Sequence, residues 1–154
     1  MLEWVADLLT RSPNQFVRRH IESMYRGRCI YCGRPKTRRR RLTCDHVVPL
    51  SQGGQLWEDN LVPSCRQCNT VKGDKTLVEF RNVLQWAIDT PETGVARRRR
   101  ATLVKLKQLA GNFLLEGKVV FHFQRCRPAY TSPVLRTLAR SLGLGKARAC
   151  RGAR

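Results

Sequence analysis

An α+β fold, mostly helical, is what the sequence predicts, on three observations. Apolar residues recur at helical spacing near the N-terminus and again after residue 76. Between those stretches, residues 29–76 are loop-rich and punctuated by Gly, Pro, Asn and Cys. Two C-x2-C pairs, Cys29-Ile30-Tyr31-Cys32 and Cys65-Arg66-Gln67-Cys68, lie within that loop-rich segment. At 154 residues the chain makes about one domain with a tail.

The elements follow in order. Residues 1–28 read as a helix, with Ser12 as cap, Pro13 at the first helical position, and Phe16, Val17, Ile21 and Met24 as a loose apolar stripe. A second helix is predicted from Thr76 to Ile88, with Leu77, Phe80, Leu84 and Ile88 on one face and Val83 and Trp86 nearby. It stops before Thr90-Pro91, because the residue preceding a proline disfavours the helical region. A third helix is expected from about Ala96 to Glu116, and Lys118 to Gln124 (KVVFHFQ) reads as a strand. The last dozen residues are rich in Gly, Ala, Lys and Arg and are expected to be disordered. This divides the chain into a helix over 1–28, a core over 29–90, a helical and strand extension over 91–142 and a basic tail over 143–154.

The charge balance narrows the partners. Thirty Lys and Arg face eleven Asp and Glu, a formal net charge of +19. Such an excess repels itself and calls for an acidic partner, of which nucleic acid is the usual one. No run approaches the ~20 apolar residues of a membrane span. Met1 to Thr10 carries Glu3 and Asp7 and has no basic leader, so export is not expected. A cytoplasmic setting, in a bacterial or phage-infected cell, is expected. There, paired cysteines point to metal rather than disulfides.

Each C-x2-C pair offers two thiolates from one tight turn, and two pairs complete a tetrahedral S4 site suited to Zn²⁺. Gly33, just after the first pair, suits a knuckle turn with positive φ. Residues 33–64 separate the pairs, more than the ~15–20 of a simple zinc ribbon, so something folded should lie between them. What lies there is an Asp45-His46 pair on a short strand, a Gly53-Gly54 loop, Asn60, a second short strand, and a helix start bearing Asn69 and Lys72. On a helix, Asn69 and Lys72 are one turn apart and share a face.

Over residues 27–77 this pattern resembles the HNH endonuclease family in its zinc-bound four-cysteine form. The shared run is C-x2-C, D-H-x2-P, G-G, then N-L-x-P-x-C-x2-C-N-x2-K-G. The resemblance implies a ββα-metal (His-Me finger) core, flanked here by helices. In such a core the first strand carries the Asp-His pair and the helix packs across both strands. By the same resemblance Asp45 is a ligand of a catalytic divalent ion, His46 the general base, Asn60 the residue that holds the loop, and Asn69 the second ligand. The chain is thus an H-N-N variant. Cys29, Cys32, Cys65 and Cys68 hold the structural zinc. An amide and a carboxylate are hard oxygen donors, which suit Mg²⁺ or Mn²⁺.

The chemistry agrees with that assignment. Neutral His46 can take a proton from water near neutral pH. A divalent ion relieves charge at phosphate and leaving oxygen. Lys72 is read as a point charge for the adjacent phosphate. Arg38, Arg39, Arg40 and Arg41 precede the Asp-His strand, and Arg97, Arg98, Arg99 and Arg100 open a helix. Both runs are read as DNA contacts that position without reading sequence. His20, His122, Cys44, Cys126 and Cys150 are read as ordinary residues.

The function expected is hydrolysis of DNA phosphodiester bonds, of phage packaging, restriction or homing type. The family resemblance implies products ending in 5′-phosphate and 3′-hydroxyl. The alternative is a zinc-ribbon module that grips nucleic acid without cutting it. Nothing in the motif argues for RNA cleavage. Residues 96–154 are the expected place for a protein partner or a second copy of the chain.

Overall fold

The structure, a computed structural model, describes residues 15–55, 58–125 and 133–141. The expected Ser12-Pro13 helix start, Cys126, Cys150 and the 143–154 tail lie outside them. Helix α1 spans Gln15–Met24 and buries Ile21, with Val17 and Met24 partly buried beside it. These three sit at i, i+4 and i+7, one face of a helix. Phe16, expected in the stripe, is about 100° round the helix from Val17 and is 73% exposed.

The two strands expected between the cysteine pairs are present. Strand β1 is Leu42–His46 and β2 is Leu61–Cys65, paired antiparallel with Asp45 opposite Val62 and His46 opposite Leu61. Every residue of β2 is buried, because α1 and the next helix both pack on the ribbon. That helix, α2, runs Arg66–Lys72 straight out of β2 and touches both strands, which makes a ββα unit.

Helix α3, Leu77–Asp89, is set by its cap. The Thr76 hydroxyl accepts from the Glu79 amide, and the Glu79 carboxylate accepts from the Thr76 amide at 2.8 Å. Leu77, Phe80, Leu84 and Ala87 are buried, Ile88 is partly buried, and Trp86 is 56% exposed. The helix ends at Thr90, ahead of Pro91, as expected. Helix α4 covers Arg97–Ala110, shorter than the predicted stretch to Glu116. The Asn112 amide group donates to the Leu109 and Gln108 carbonyls and closes the last turn. A two-residue hairpin follows, β3 (Leu114–Leu115) with β4 (Lys118–Val119), through Glu116 and Gly117, both at positive φ.

The predicted strand over Lys118 to Gln124 is corrected by the structure. Only Lys118 and Val119 pair as a strand, and His122–Arg125 forms a short helix, α5. The amides of His122 and Phe123 donate to the carbonyls of Tyr31 and Ile30 rather than to a ladder. The Gln124 side chain accepts from the Phe121 amide, which bends the chain. The payoff is aromatic packing: Phe121 stacks on Phe80 and Phe123 and meets Phe113 edge-on. That cluster is the core shared by the cysteine segment, α3 and the 109–123 segment. Helix α6 is Pro133–Ser141. Among the described residues, no helix is long and apolar enough to cross a membrane.

Candidate metal centre and active site

The four cysteines expected to hold zinc converge. Their sulfurs all lie within 4.8 Å of one another, and Cys32 Sγ is 3.9 Å from Cys65 Sγ. A tetrahedral zinc with bonds of about 2.3 Å sets its sulfurs about 3.8 Å apart, so the donor set fits that ion. Thiols crowded this closely cannot all ionise without a cation. Cys32 falls well below the ordinary thiol value and Cys65 drops to about 6, both chiefly through bonds from neighbouring thiols. Cys29 and Cys68 are pushed far up by the same neighbours. Gly33 has φ +74°, as its knuckle position requires, and a Cβ there would lie 2.5 Å from the His122 ring. Arg34 donates to Gln67 at 2.6 Å and toward the Cys32 sulfur, tying one knuckle to the other.

Beside this centre lies Asp45. Its Oδ2 accepts from the Tyr31 hydroxyl at 2.6 Å. Lys72 Nζ lies 3.2 Å from Asp45 Oδ2 and 3.4 Å from Oδ1, and donates to the His46 carbonyl at 2.7 Å. Burial pushes the Asp45 carboxyl up, and Lys72 and Tyr31 pull it partway back. Burial also lowers His46, against the opposing pull of Asp45, which favours the neutral ring. Half-buried on the last position of β1, His46 is held by its backbone to Lys72.

Lys72 is wholly buried, not on the surface where direct contact with phosphate would place it. Side chains on a helix lean toward its N-terminus, so Lys72 covers the turn that starts at Asn69. Asn69 is partly exposed, three residues earlier on α2.

Asn60 is 2% exposed and every polar group of its side chain is used. Its Oδ1 accepts from the Val48 amide at 2.9 Å, and its Nδ2 donates to the carbonyls of Val48 and Gln55 at 2.9 and 2.7 Å. The Asn60 carbonyl accepts from the Val47 amide. Asn60 therefore fastens the chain just past His46 to the start of β2. Gly54 completes the loop: a Cβ there would come 2.0 Å from the Val48 carbonyl oxygen.

The arginine runs are both on the surface. Arg38, Arg39 and Arg41 are exposed and Arg40 is half-buried, and all four line an open groove. Arg34, Cys65, Arg66 and Gln67 line the same groove. Arg97 to Arg100 are fully displayed on the first turn of α4. Three participants carry no signal in the sequence: Tyr31, Arg34 and Arg66. A tyrosine inside a C-x2-C pair has no diagnostic spacing, and Arg34 and Arg66 are brought to the groove only by folding.

The ββα unit with its S4 centre defines the class of this segment, and residues 29–75 match the HNH endonuclease family. That segment is of the HNH endonuclease type. No curated protein matches the chain. Among solved structures, a Type II-C Cas9 enzyme from Actinomyces naeslundii matches at 21% identity and a TM-score of 0.41, over 72% of this chain and 12% of that one. The chain thus spans about 12% of the length of that protein.

Proposed function

We propose that the chain is a metal-dependent DNA endonuclease that hydrolyses phosphodiester bonds with His46 as general base. The observation that carries this reading is a half-buried His46 at the end of β1, next to the buried Asp45 carboxylate, with Lys72 on its backbone carbonyl and Asn60 on the Val48 amide two residues on. His46 accepts the proton from the attacking water. Asn60 sets the path of the backbone after His46 and so the aim of the imidazole. Lys72 acts from below, fixing Asp45 and the His46 carbonyl, and is a positioning residue in this account.

Asp45 and Asn69 are the residues that would hold the divalent ion. A carboxylate has about four acceptor positions, and Tyr31 and Lys72 take one each by hydrogen bond, which leaves acceptor positions for a cation. One oxygen each from Asp45 and Asn69 suits Mg²⁺ or Mn²⁺, which keeps most of its positions for water and phosphate. When bound, the ion would neutralise charge building on the phosphate. The arginine-walled groove and Arg97–Arg100 would hold the DNA backbone.

The rival reading is a zinc-stabilised module that binds nucleic acid without cutting it. The engagement of both Asp45 oxygens by Tyr31 and Lys72 is the observation in its favour. Plasmid nicking by zinc-loaded protein in Mg²⁺ or Mn²⁺ separates the two. Cleavage by the wild type that is lost in His46→Ala supports the nuclease. Binding without cleavage by both proteins supports the module.

A further inference from the structure

The knuckle between Cys29 and Cys32 carries a side chain that reaches the candidate active site. Tyr31 is wholly buried, and its hydroxyl donates to Asp45 Oδ2 at 2.6 Å, across fourteen residues of sequence. Its ring is clamped edge-on by Phe80 and Phe121, with centroids 5.6 and 5.8 Å away. Its backbone carbonyl accepts from the His122 amide. Cys32 follows it directly and Cys29 lies two residues before it, so the phenol is mounted on the cysteine segment itself. Lys72, the other group on Asp45, hangs from α2, the helix that carries Cys68. Both partners of the carboxylate are therefore mounted on zinc-bearing segments.

A phenylalanine would fill this aromatic site equally well. The hydroxyl is explained by Asp45. We propose that Tyr31 is a positioning residue that ties the zinc knuckle to Asp45 and holds its carboxylate in the orientation needed to bind the catalytic ion. This rests on the assignment of Asp45 as a ligand in the nuclease reading. Groups that hydrogen-bond a metal ligand fix its orientation, and their loss costs about 10–100-fold in metal affinity.

The test is Mn²⁺ titration of the zinc-loaded full chain by calorimetry, comparing wild type, Tyr31→Phe and Asp45→Asn as the baseline without the ligand. Zinc content and Tm are measured on each. The expected result is unchanged zinc in Tyr31→Phe, with Mn²⁺ binding weakened about tenfold or more. The Mn²⁺ concentration for half-maximal nicking should move with it. Equal Mn²⁺ affinity in wild type and Tyr31→Phe overturns the role of Tyr31 and leaves the nuclease reading standing. A wild type that binds Mn²⁺ no better than Asp45→Asn removes the ligand assignment itself, and this inference with it. Should Tyr31→Phe lose zinc, 4-aminophenylalanine at position 31, which keeps a donor, is expected to restore both zinc and Mn²⁺ binding. Failure to restore Mn²⁺ binding overturns the proposal.

Discussion

Lys72 Nζ lies 3.2 Å from Asp45 Oδ2, with the lysine side chain wholly buried and the aspartate side chain 8% exposed. Removing one member of a buried ion pair strands the other, at a cost of about 3–5 kcal/mol. Lys72→Ala is therefore predicted to lower the unfolding free energy of the zinc-loaded protein by about that much, read from urea denaturation. Lys72→Met combined with Asp45→Asn should be much less damaging than the sum of its parts. A loss below about 1 kcal/mol in Lys72→Ala would show the pair to be solvated.

The zinc centre is predicted to govern whether residues 29–75 fold at all. Cys29→Ser or Cys65→Ser should abolish zinc retention and the ordered near-UV spectrum. Structural zinc contributes on the order of 10 kcal/mol in small metal-held domains. Chelation of zinc from the wild type should have the same outcome. Full zinc content in either variant contradicts the S4 assignment.

Burial holds His46 below the ordinary imidazole value of 6.5, so the neutral form persists into mildly acidic solution. A base works only when unprotonated, so cleavage should fall as pH drops through the depressed value and be level above it. The acid limb of the rate profile is predicted to lie below pH 6.5. A limb above 6.5 would mean that a more exposed or carboxylate-stabilised histidine carries the titration.

The parts of this molecule that were legible in the sequence are those held by local chemistry. The two C-x2-C pairs pointed to the four-sulfur cluster, and Thr76 and Pro91 bounded α3. The Asp45-His46 strand, β2 and α2 were readable because turn residues punctuate a short segment. What sequence periodicity missed was set by distant contacts. KVVFHFQ alternates like a strand, yet Phe121 and Phe123 are drawn into the aromatic cluster and the amides of His122 and Phe123 bond to the knuckle. Lys72 reads as a surface charge beside Gly73 and Asp74, and only the crossing of α2 over β1 takes it out of solvent. The Tyr31 to Asp45 bond was invisible for the same reason.

The basic runs make a prediction about salt. Each phosphate contact released should reduce the slope of log affinity against log salt by about 0.9. Replacing Arg38, Arg39, Arg40 and Arg41 together by Ala should flatten that slope by about two or more, measured on a short duplex by fluorescence anisotropy. Replacing Arg97 to Arg100 should do likewise, independently of zinc. An unchanged slope in both variants would assign these arginines to a merely solvated surface.

The most direct measurement is single-turnover strand cleavage by the zinc-loaded chain in Mn²⁺, with wild type and His46→Ala compared at DNA concentrations that saturate both. A cut strand is expected from the wild type and a rate at least about a hundredfold lower from His46→Ala, with duplex affinity preserved. Equal rates in the two proteins, or bound but intact DNA in both, would contradict it.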